Sequence, residues 1–330
     1  MGWQEIFATA PELQTAPAAA EGNSPAIAAL PGFGVLGVSG ADAAGFLHNQ
    51  LSNDAENLGP DESRLAAYCS PKGRVIAVVL LYREGEDFRL LAPVDLLDTL
   101  RKRLTMFVLR SKVSITDLSA ERLVWGLGGR GLAETLDAVG LGAPDTGKTV
   151  GHEDGTSLLR LPGETARYLL ISTPDAATRR LTALRAQFLP QSAEGWALGD
   201  IRAGLPWVLD ATRETWVPQT LNLDLIGGIN FRKGCYPGQE VVARMKYLGK
   251  LKRRCYRISL SGSEAPAPGS EVRDGDEKLV GELVNVAADG AGGYEALAAL
   301  RMDALDKPLS CEGHPVTLRD LPYEISNETA

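Results

Sequence analysis

The chain has 330 residues, of which 44% are hydrophobic and 23% are charged, a composition that supports compact cores and excludes a mainly disordered protein. Its formal net charge of -8 argues against attraction of the whole surface to nucleic acid or to an anionic membrane. No apolar run is long enough to span a membrane, and the first residues lack the basic and apolar segments of a secretory signal, so the sequence predicts a cytoplasmic protein.

The N-terminal third begins with a segment for which little regular secondary structure is predicted. Residues 8–30 are rich in Ala, Pro, Glu and Ser, so we expect 1–29 to form a loosely ordered lead-in that contains one short helix. Beyond it, the apolar spacing predicts a strand, a helix, a buried strand with its hairpin partner, and a second helix. These predicted elements lie, in that order, at 34–38, 43–51, 74–82, 88–91 and 94–109.

The remaining chain changes character near residue 250. Before that point, strands are predicted at 124–127 and 168–171, and helices at 175–188 and 196–205. After it, short apolar stretches alternate with Gly, Pro and Asp turns, which is typical of a small antiparallel barrel. The sequence therefore predicts a barrel domain over 251–330, with strands at 254–260, 271–273, 278–287, 294–303 and 314–318.

The cysteines are few and widely spaced. They are Cys69, Cys235, Cys255 and Cys311. Because no C-x-x-C pair occurs, the sequence predicts no structural zinc site and no other metal site. It also predicts no disulfide framework. One of them lies in the most informative segment, 233–240, which reads KGCYPGQE. Two glycines and a proline force a tight bend there, and a helix is predicted to follow over 239–247.

The bend puts Cys235 near the start of that helix, with Lys233 beside it. Both the positive helix end and the neighbouring cation favour the thiolate, the form that attacks electrophiles or binds soft metals. The alternative is that Cys235 is a small buried hydrophobe in a glycine-rich turn, as free cysteines often are. The residues alone leave both interpretations open.

A basic segment surrounds this motif. Residues 232–257 contain nine Lys and Arg side chains and one acid, Glu240. Such a segment is usually a solvated linker, but it could also form a groove for the anionic tail of folate or for RNA phosphates. Aromatic residues are sparse among these cations, so stacking of single-stranded bases is weakly supported.

The segment 233–240 closely resembles the defining motif of the YgfZ family, K-G-C-Y-x-G-Q-E, with Pro237 at the variable place. YgfZ proteins are paralogues of the glycine-cleavage T-protein. The resemblance extends upstream over 217–223 and downstream over 243–249, and weaker likenesses occur at 46–54, 68–74 and 200–206. Together these segments make the resemblance cover about residues 30–320.

The resemblance implies an α+β fold like that of the T-protein, a cloverleaf of two mixed α/β subdomains and a C-terminal antiparallel β-barrel. Residues 30–250 would form the folate-binding region and 251–330 the barrel. The implied cofactor is tetrahydrofolate or a derivative. The implied role is support of iron–sulfur enzymes, including the radical enzyme that methylthiolates tRNA.

The same resemblance indicates the site. Cys235 is the expected functional thiol, and Lys233 is expected to favour its thiolate. Folate-binding candidates come from the motif helix, from the loop near residue 50 and from the aromatic residues before the motif. They are Gln239, Glu240, Arg244, Arg202, Asn53, Asp54, Trp207 and Trp216. Either Arg202 or Arg244 could bind the glutamate tail through a bidentate contact.

Three other functions remain open. An aminomethyltransferase of the glycine-cleavage type needs a carboxylate beside the folate to manage protons, but the stretch 75–82 contains no acid; a displaced carboxylate such as Asp54 could replace it. A non-catalytic adaptor would leave Cys235 structural. An RNA-binding module would use the basic segment. We therefore leave catalysis open, with a folate-dependent one-carbon or thiol-chemistry transferase as the enzymatic option, and expect a monomer.

Overall fold

The computed structural model describes residues 2–16, 24–249, 251–262 and 264–325. The chain divides into two compact units. The first unit comprises Met1–Phe46, Ala55–Arg64 and Leu80–Trp196, and the second comprises Leu47–Asp54, Leu65–Val79 and Ala197–Ala330.

The helices and strands follow one another in mixed order. The helices are α1 (Trp3–Thr9), α2 (Glu12–Thr15), α3 (Ala43–His48), α4 (Val94–Val108), α5 (Leu132–Ala138), α6 (Pro174–Gln187), α7 (Ala193–Arg202) and α8 (Gln239–Tyr247). The strands before α8 are β1 (Ala26–Ala29), β2 (Phe33–Ser39), β3 (Ser63–Cys69), β4 (Val75–Glu84), β5 (Asp87–Pro93), β6 (Ser114–Asp117), β7 (Leu123–Gly128), β8 (Thr149–Gly151), β9 (Ser157–Arg160), β10 (Tyr168–Ser172) and β11 (Leu189–Gln191). Those after it are β12 (Arg253–Ser261), β13 (Glu271–Asp274), β14 (Leu279–Ala288), β15 (Gly293–Arg301), β16 (Leu309–Cys311) and β17 (His314–Arg319). Among the described helices, none has the length and hydropathy of a membrane-spanning segment.

The first unit contains a six-stranded sheet with the order β11-β1-β7-β10-β9-β8. Strand β1 pairs in parallel with β11 and antiparallel with β7. Helices α1, α2, α5 and α6 cover this sheet with apolar side chains, which form one core around Trp125 and Phe188. Helix α6 begins where Thr173 caps it, because the Thr173 hydroxyl accepts a hydrogen bond from the amide of Ala176.

The expectation of a loosely ordered lead-in is wrong for residues 3–15. Helices α1 and α2 occupy this stretch, and the side chains of Ile6 and Leu13 are buried in the core of the first unit. Trp3 stacks on Phe7 and meets Trp125 edge-on. The apolar residues recur at helical spacing, a pattern that the surrounding Ala, Pro and Glu residues concealed. Residues 17–23 of the predicted lead-in lie outside the described residues.

A second sheet has the order β3-β4-β5-β2-β6. Its central hairpin, β4 with β5, confirms the predicted buried strand and its partner. Eight consecutive residues of β4 are buried, which explains the continuous apolar run in the sequence. Helix α4 confirms the helix predicted over 94–109, whereas α3 ends at His48, earlier than predicted, and α7 begins and ends three residues before the predicted helix.

The second unit ends in a closed six-stranded barrel with the order β12-β15-β14-β13-β16-β17. Antiparallel pairing of β12 with both β15 and β17 closes it. Its interior is filled by aliphatic side chains such as those of Ile258, Leu283 and Leu300. The predicted barrel is confirmed; the three-residue strand β16 was not predicted. The domain boundaries at residues 30 and 251 stay predictions.

Candidate functional site

The segment 233–240 lies in the second unit, where residues 233–238 form a tight loop and Gln239 and Glu240 begin α8. Lys233 holds this loop in place, because its ammonium donates hydrogen bonds to the backbone oxygens of His48 (2.5 Å), Leu51 (3.0 Å) and Gly234 (3.2 Å). The same ammonium lies 4.8 Å from the ring centroid of the buried Tyr236. Lys233 therefore ties the loop to the turn that follows α3. A role of Lys233 in favouring the Cys235 thiolate stays a prediction.

Two glycines allow this loop to approach the turn between β3 and β4. Gly238 has a φ of +81°, and a Cβ atom there would lie 2.5 Å from the Ser70 oxygen and 2.6 Å from the Gly73 Cα. Gly73 has a φ of +69°, and its Cβ would lie 2.7 Å from the Val241 Cβ. Only glycine combines this backbone conformation with this close approach. The turn at 70–73 and the start of α8 are consequently packed backbone against backbone.

Cys235 is exposed, whereas Cys69, Cys255 and Cys311 are buried. Burial raises the pKa of the Cys69 and Cys255 thiols to about 12 and that of the Cys311 thiol to about 11, so these three side chains are neutral packing groups. The interpretation of Cys235 as a small buried hydrophobe is therefore wrong. Cys235 is the thiol that solvent and other molecules can reach.

We expect iodoacetamide to modify one thiol per chain in the native protein and none in Cys235→Ala, because the other three thiols are buried and protonated. Mass spectrometry of the intact chain would measure this. In denaturant, four thiols should react in the wild type and three in the variant. Native modification of a second cysteine, or unchanged modification of Cys235→Ala, would contradict the prediction.

The folate candidates near residue 50 are engaged by the protein itself. The Asn53 amide donates to the backbone oxygens of Leu65 (2.8 Å) and Gly227 (2.7 Å), and its oxygen accepts from the Asp54 amide (2.9 Å). The Asp54 carboxylate lies 2.9 Å from Nδ1 of His48. These contacts fasten the turn after α3 to the loop at Gly227, so in this structure Asn53 positions backbone segments around the motif.

The other early candidates contact the barrel strands. Arg202 binds the carboxylate of Glu295 on β15 at 2.8 Å, and Arg257 binds the same carboxylate at 2.6 Å. Burial alone would raise the pKa of Glu295, but these two guanidinium groups hold that pKa below its usual range. The indoles of Trp207 and Trp216 are buried, and their Nε1 atoms donate to Asp200 (3.0 Å) and to Glu282 on β14 (3.2 Å), respectively.

The remaining candidates lie along α8. Gln239 is half-buried in its first turn, whereas Glu240 and Arg244 are exposed. Glu240 and Arg244 are four residues apart, so they share one face of the helix. The structure thus brings Cys235, Lys233, Gln239 and Asn53 into the elements that form the motif loop and its supports. It attaches Arg202 and Trp216 to the barrel through Glu295 and Glu282. Trp207 is attached through its backbone amide, which donates a hydrogen bond to Asn285 Oδ1 on β14 (2.9 Å).

Much of the basic segment is committed to internal contacts. Arg253 binds Glu282 at 3.2 Å, and Arg254 binds Asp224 at 2.6 Å. Arg257 is bound to Glu295, as described above, and the Lys246 ammonium lies 3.9 Å from the ring centroid of Phe231. Four cations of the basic segment are therefore taken up by contacts within the described residues, and a groove for a polyanion along this segment stays a prediction.

Sequence reasoning missed three polar side chains around the motif. Gln50 Oε1, Ser70 Oγ and Gln219 Oε1 are buried and have no hydrogen-bond partner among the described residues. Gln50 lies within the turn that holds Lys233, the Ser70 backbone packs on Gly238, and Gln219 Nε2 donates to the Val242 oxygen of α8 at 2.6 Å. Buried polar atoms usually have partners, so these three oxygens are acceptors that the described residues leave unused. Their segments, 46–54, 68–74 and 217–223, are ones that carried the sequence resemblance.

Comparison with known proteins identifies relatives along most of the chain. Residues 252–322 match the family model of the CAF17 C-terminal β-barrel domain. The tRNA-modifying protein YgfZ of Klebsiella pneumoniae (strain 342) is 34% identical over 245 residues, which cover 74% of this chain and 74% of the relative. The protein of the same name from Pectobacterium carotovorum is 28% identical over 332 residues, covering 97% of each chain.

Among solved structures, the glycine cleavage system aminomethyltransferase T from Bartonella henselae is similar to this chain, with a TM-score of 0.74. The similarity covers 92% of this chain and 87% of that one, at 15% sequence identity. At this identity the likeness concerns the fold. It confirms the predicted fold class, with mixed α/β sheets followed by an antiparallel barrel.

Proposed function

Because the chain belongs to the YgfZ family of tRNA-modifying proteins, we propose that it binds tetrahydrofolate or a derivative and supports the assembly or repair of iron–sulfur clusters. Through this role it supports tRNA modification, by sustaining iron–sulfur enzymes such as the one that methylthiolates tRNA. It acts in the cytoplasm. Cys235 is its functional thiol.

One observation carries the proposal: a single exposed cysteine lies on a loop that Lys233 and Gly238 hold in a fixed conformation. The Lys233 hydrogen bonds and the close contact of Gly238 already fix the conformation of this loop. The thiol is therefore presented to a reactant without the entropy loss of ordering a flexible loop. A purely structural cysteine has no need of such a position, since buried cysteines already fill that role at Cys69, Cys255 and Cys311. This supports a chemical role for Cys235 over the adaptor hypothesis.

Folate binding is supported by the fold and by the unpartnered oxygens. The pterin ring of folate carries N–H groups along one edge, and Gln50 Oε1, Ser70 Oγ and Gln219 Oε1 are buried acceptors around the motif. These three residues would hold the ring. Tetrahydrofolate, when bound, supplies a carrier for one-carbon groups. The solved aminomethyltransferase with the same fold makes a folate a reasonable ligand class for this scaffold.

The test is calorimetric titration of tetrahydrofolate into the purified wild type and into Cys235→Ala. We expect micromolar binding to both, because the thiol lies on the exposed side of the loop and the acceptors are buried. Ser70→Ala should weaken binding about fivefold, which corresponds to one lost hydrogen bond of about 1 kcal/mol. No binding to the wild type would remove folate from the proposal.

A matched control separates ligand contacts from general effects. Ser63 Oγ is also buried without a partner among the described residues, but it lies in the first unit. Ser63→Ala should therefore leave the affinity for tetrahydrofolate unchanged. Equal losses in Ser63→Ala and Ser70→Ala would show that the effect of Ser70 is not a contact with the ligand.

A further inference from the structure

Three large apolar side chains are exposed within four residues at the end of helix α4. Met106 is 71% exposed, Phe107 47% and Leu109 86%. We call these three residues, with Arg110 and Lys112, the α4 tip. Single exposed apolar residues are common, but a contiguous group of them marks an interaction site.

The α4 tip is also strongly basic. Residues 99–116 contain five Lys and Arg side chains and no acid, on a chain whose net charge is -8. Arg101 and Lys102 form pairs with the exposed Asp98, one to two helical turns before the tip, and such surface pairs contribute little. The tip therefore combines exposed apolar side chains with the cations Arg110 and Lys112, on a chain that is acidic overall.

The backbone holds this surface in a defined conformation. Leu109 has a φ of +45°, which is uncommon for a residue with a side chain and costs of order 1–3 kcal/mol. The following residues are fixed by Asp42, whose carboxylate accepts a hydrogen bond from the Lys112 amide at 2.6 Å. Strained backbone conformations are concentrated at functional sites. The strained and exposed Leu109, on a turn that Asp42 anchors, is therefore consistent with a side chain that contacts another molecule.

The tip leads directly into an edge strand. Strand β6 stands at the end of its sheet and, in the part of the chain that the structure describes, pairs with β2 alone. An edge strand presents main-chain donors and acceptors that a peptide segment can pair with. Neither lipid nor nucleic acid can extend a β-sheet by main-chain hydrogen bonds to its edge strand.

We propose that the α4 tip is a docking surface for a partner protein whose contact face carries apolar side chains surrounded by carboxylates. The exposed apolar side chains need an apolar surface to pack on, and Arg110 and Lys112 favour carboxylates around that surface. Nucleic-acid interfaces are more polar and draw on cations and stacking aromatics, whereas the tip offers one aromatic residue beside Met106 and Leu109. This surface is separate in sequence from the thiol motif, so the inference does not rest on folate or on Cys235.

The experiment places the photo-crosslinking residue p-benzoylphenylalanine at position 106 of the full chain in cells. Position 189 is the control, because Leu189 is 59% exposed on the edge strand β11 and residues 186–200 contain no cation. We expect a discrete protein adduct from position 106, none from position 189, and loss of the adduct in Arg110→Glu/Lys112→Glu.

Binding of the purified adduct partner then tests the contact directly. Arg110→Glu/Lys112→Glu should weaken binding about tenfold or more and lower its dependence on salt. Leu109→Gly should weaken it about fivefold, while the melting temperature stays equal to or above that of the wild type, because glycine relieves the positive φ. This variant keeps the test independent of folding defects.

Each alternative occupant has its own outcome. A nuclease-sensitive adduct would assign the tip to RNA, a lipid adduct to a membrane, and an adduct with a second copy of this chain to self-association; each would overturn the proposal. The absence of a protein adduct, or affinities unchanged in both variants, would overturn it as well.

Discussion

Gly238→Ala should lower the free energy of unfolding by about 2–6 kcal/mol. A new Cβ would lie 2.5 Å from the Ser70 oxygen and 2.7 Å from the Gly73 amide nitrogen, and both are backbone atoms that no rotamer change can move. Overpacking of this kind costs about 1–3 kcal/mol, and the positive φ adds about 1–3 kcal/mol. Urea denaturation of the purified variant measures the loss.

Gly227→Ala is the matched control for Gly238→Ala. Gly227 has a φ of +76°, close to that of Gly238, but a Cβ there would meet no atom within 4 Å. Its replacement should therefore cost only the conformational strain, about 1–3 kcal/mol, without the overpacking that Gly238→Ala adds. If the two variants were equally stable, the close approach of the motif loop to the turn at 70–73 would not be the reason for glycine at 238.

The same contact has a chemical consequence for Cys235. The motif loop is held at one end by Lys233 and at the other by Gly238. In Gly238→Ala the loop must move away from Ser70, so the alkylation rate of Cys235 should change in the protein that remains folded. Gly227→Ala should leave that rate as in the wild type, because a Cβ there would meet no atom within 4 Å and would displace no part of the loop.

Local patterns in the sequence predicted several elements with good accuracy. The helix predicted over 239–247 is α8, residue for residue, because Pro237 and Gly238 break the preceding chain and the apolar spacing then becomes helical. The barrel strands were predicted from short apolar runs between turns. Strand β16 was not predicted, because three residues are too few to show the alternation of apolar and polar side chains that indicates a strand. Helix α1 was not predicted, because the Ala, Pro and Glu content of the N-terminal segment indicates low order, whereas the helical spacing of Trp3, Ile6 and Phe7 indicates a buried helix face.

The supports of the motif loop could not be predicted in the same way. Lys233 binds backbone oxygens at residues 48 and 51, and a backbone oxygen has no side-chain signature in a sequence. The contact of Gly238 with Gly73 joins segments far apart in the chain, and each glycine alone indicates only a turn. Likewise, the sequence shows that Arg202 and Arg254 are charged, but it does not show which carboxylates form ion pairs with them. Resemblance located the thiol motif, and the structure supplied the reasons for its shape.

Arg254→Met should lower the free energy of unfolding by about 3 kcal/mol or more. The Arg254 guanidinium is buried and makes two contacts with the Asp224 carboxylate, at 2.6 Å and 3.0 Å, and a third with the Gln219 oxygen at 2.8 Å. Removal of one partner leaves a largely buried carboxylate without its countercharge, which typically costs about 3–5 kcal/mol. Urea denaturation again provides the measurement.

The neighbouring Arg253→Met serves as its control, because Arg253 pairs with Glu282 at 3.2 Å and is partly exposed. Its loss should cost about 1 kcal/mol or less. Arg254→Lys should remain clearly destabilised, since an ammonium cannot reproduce the bidentate contact, whereas Arg254→Met/Asp224→Leu should regain part of the loss by removing both charges. Equal effects of Arg253→Met and Arg254→Met would contradict this account.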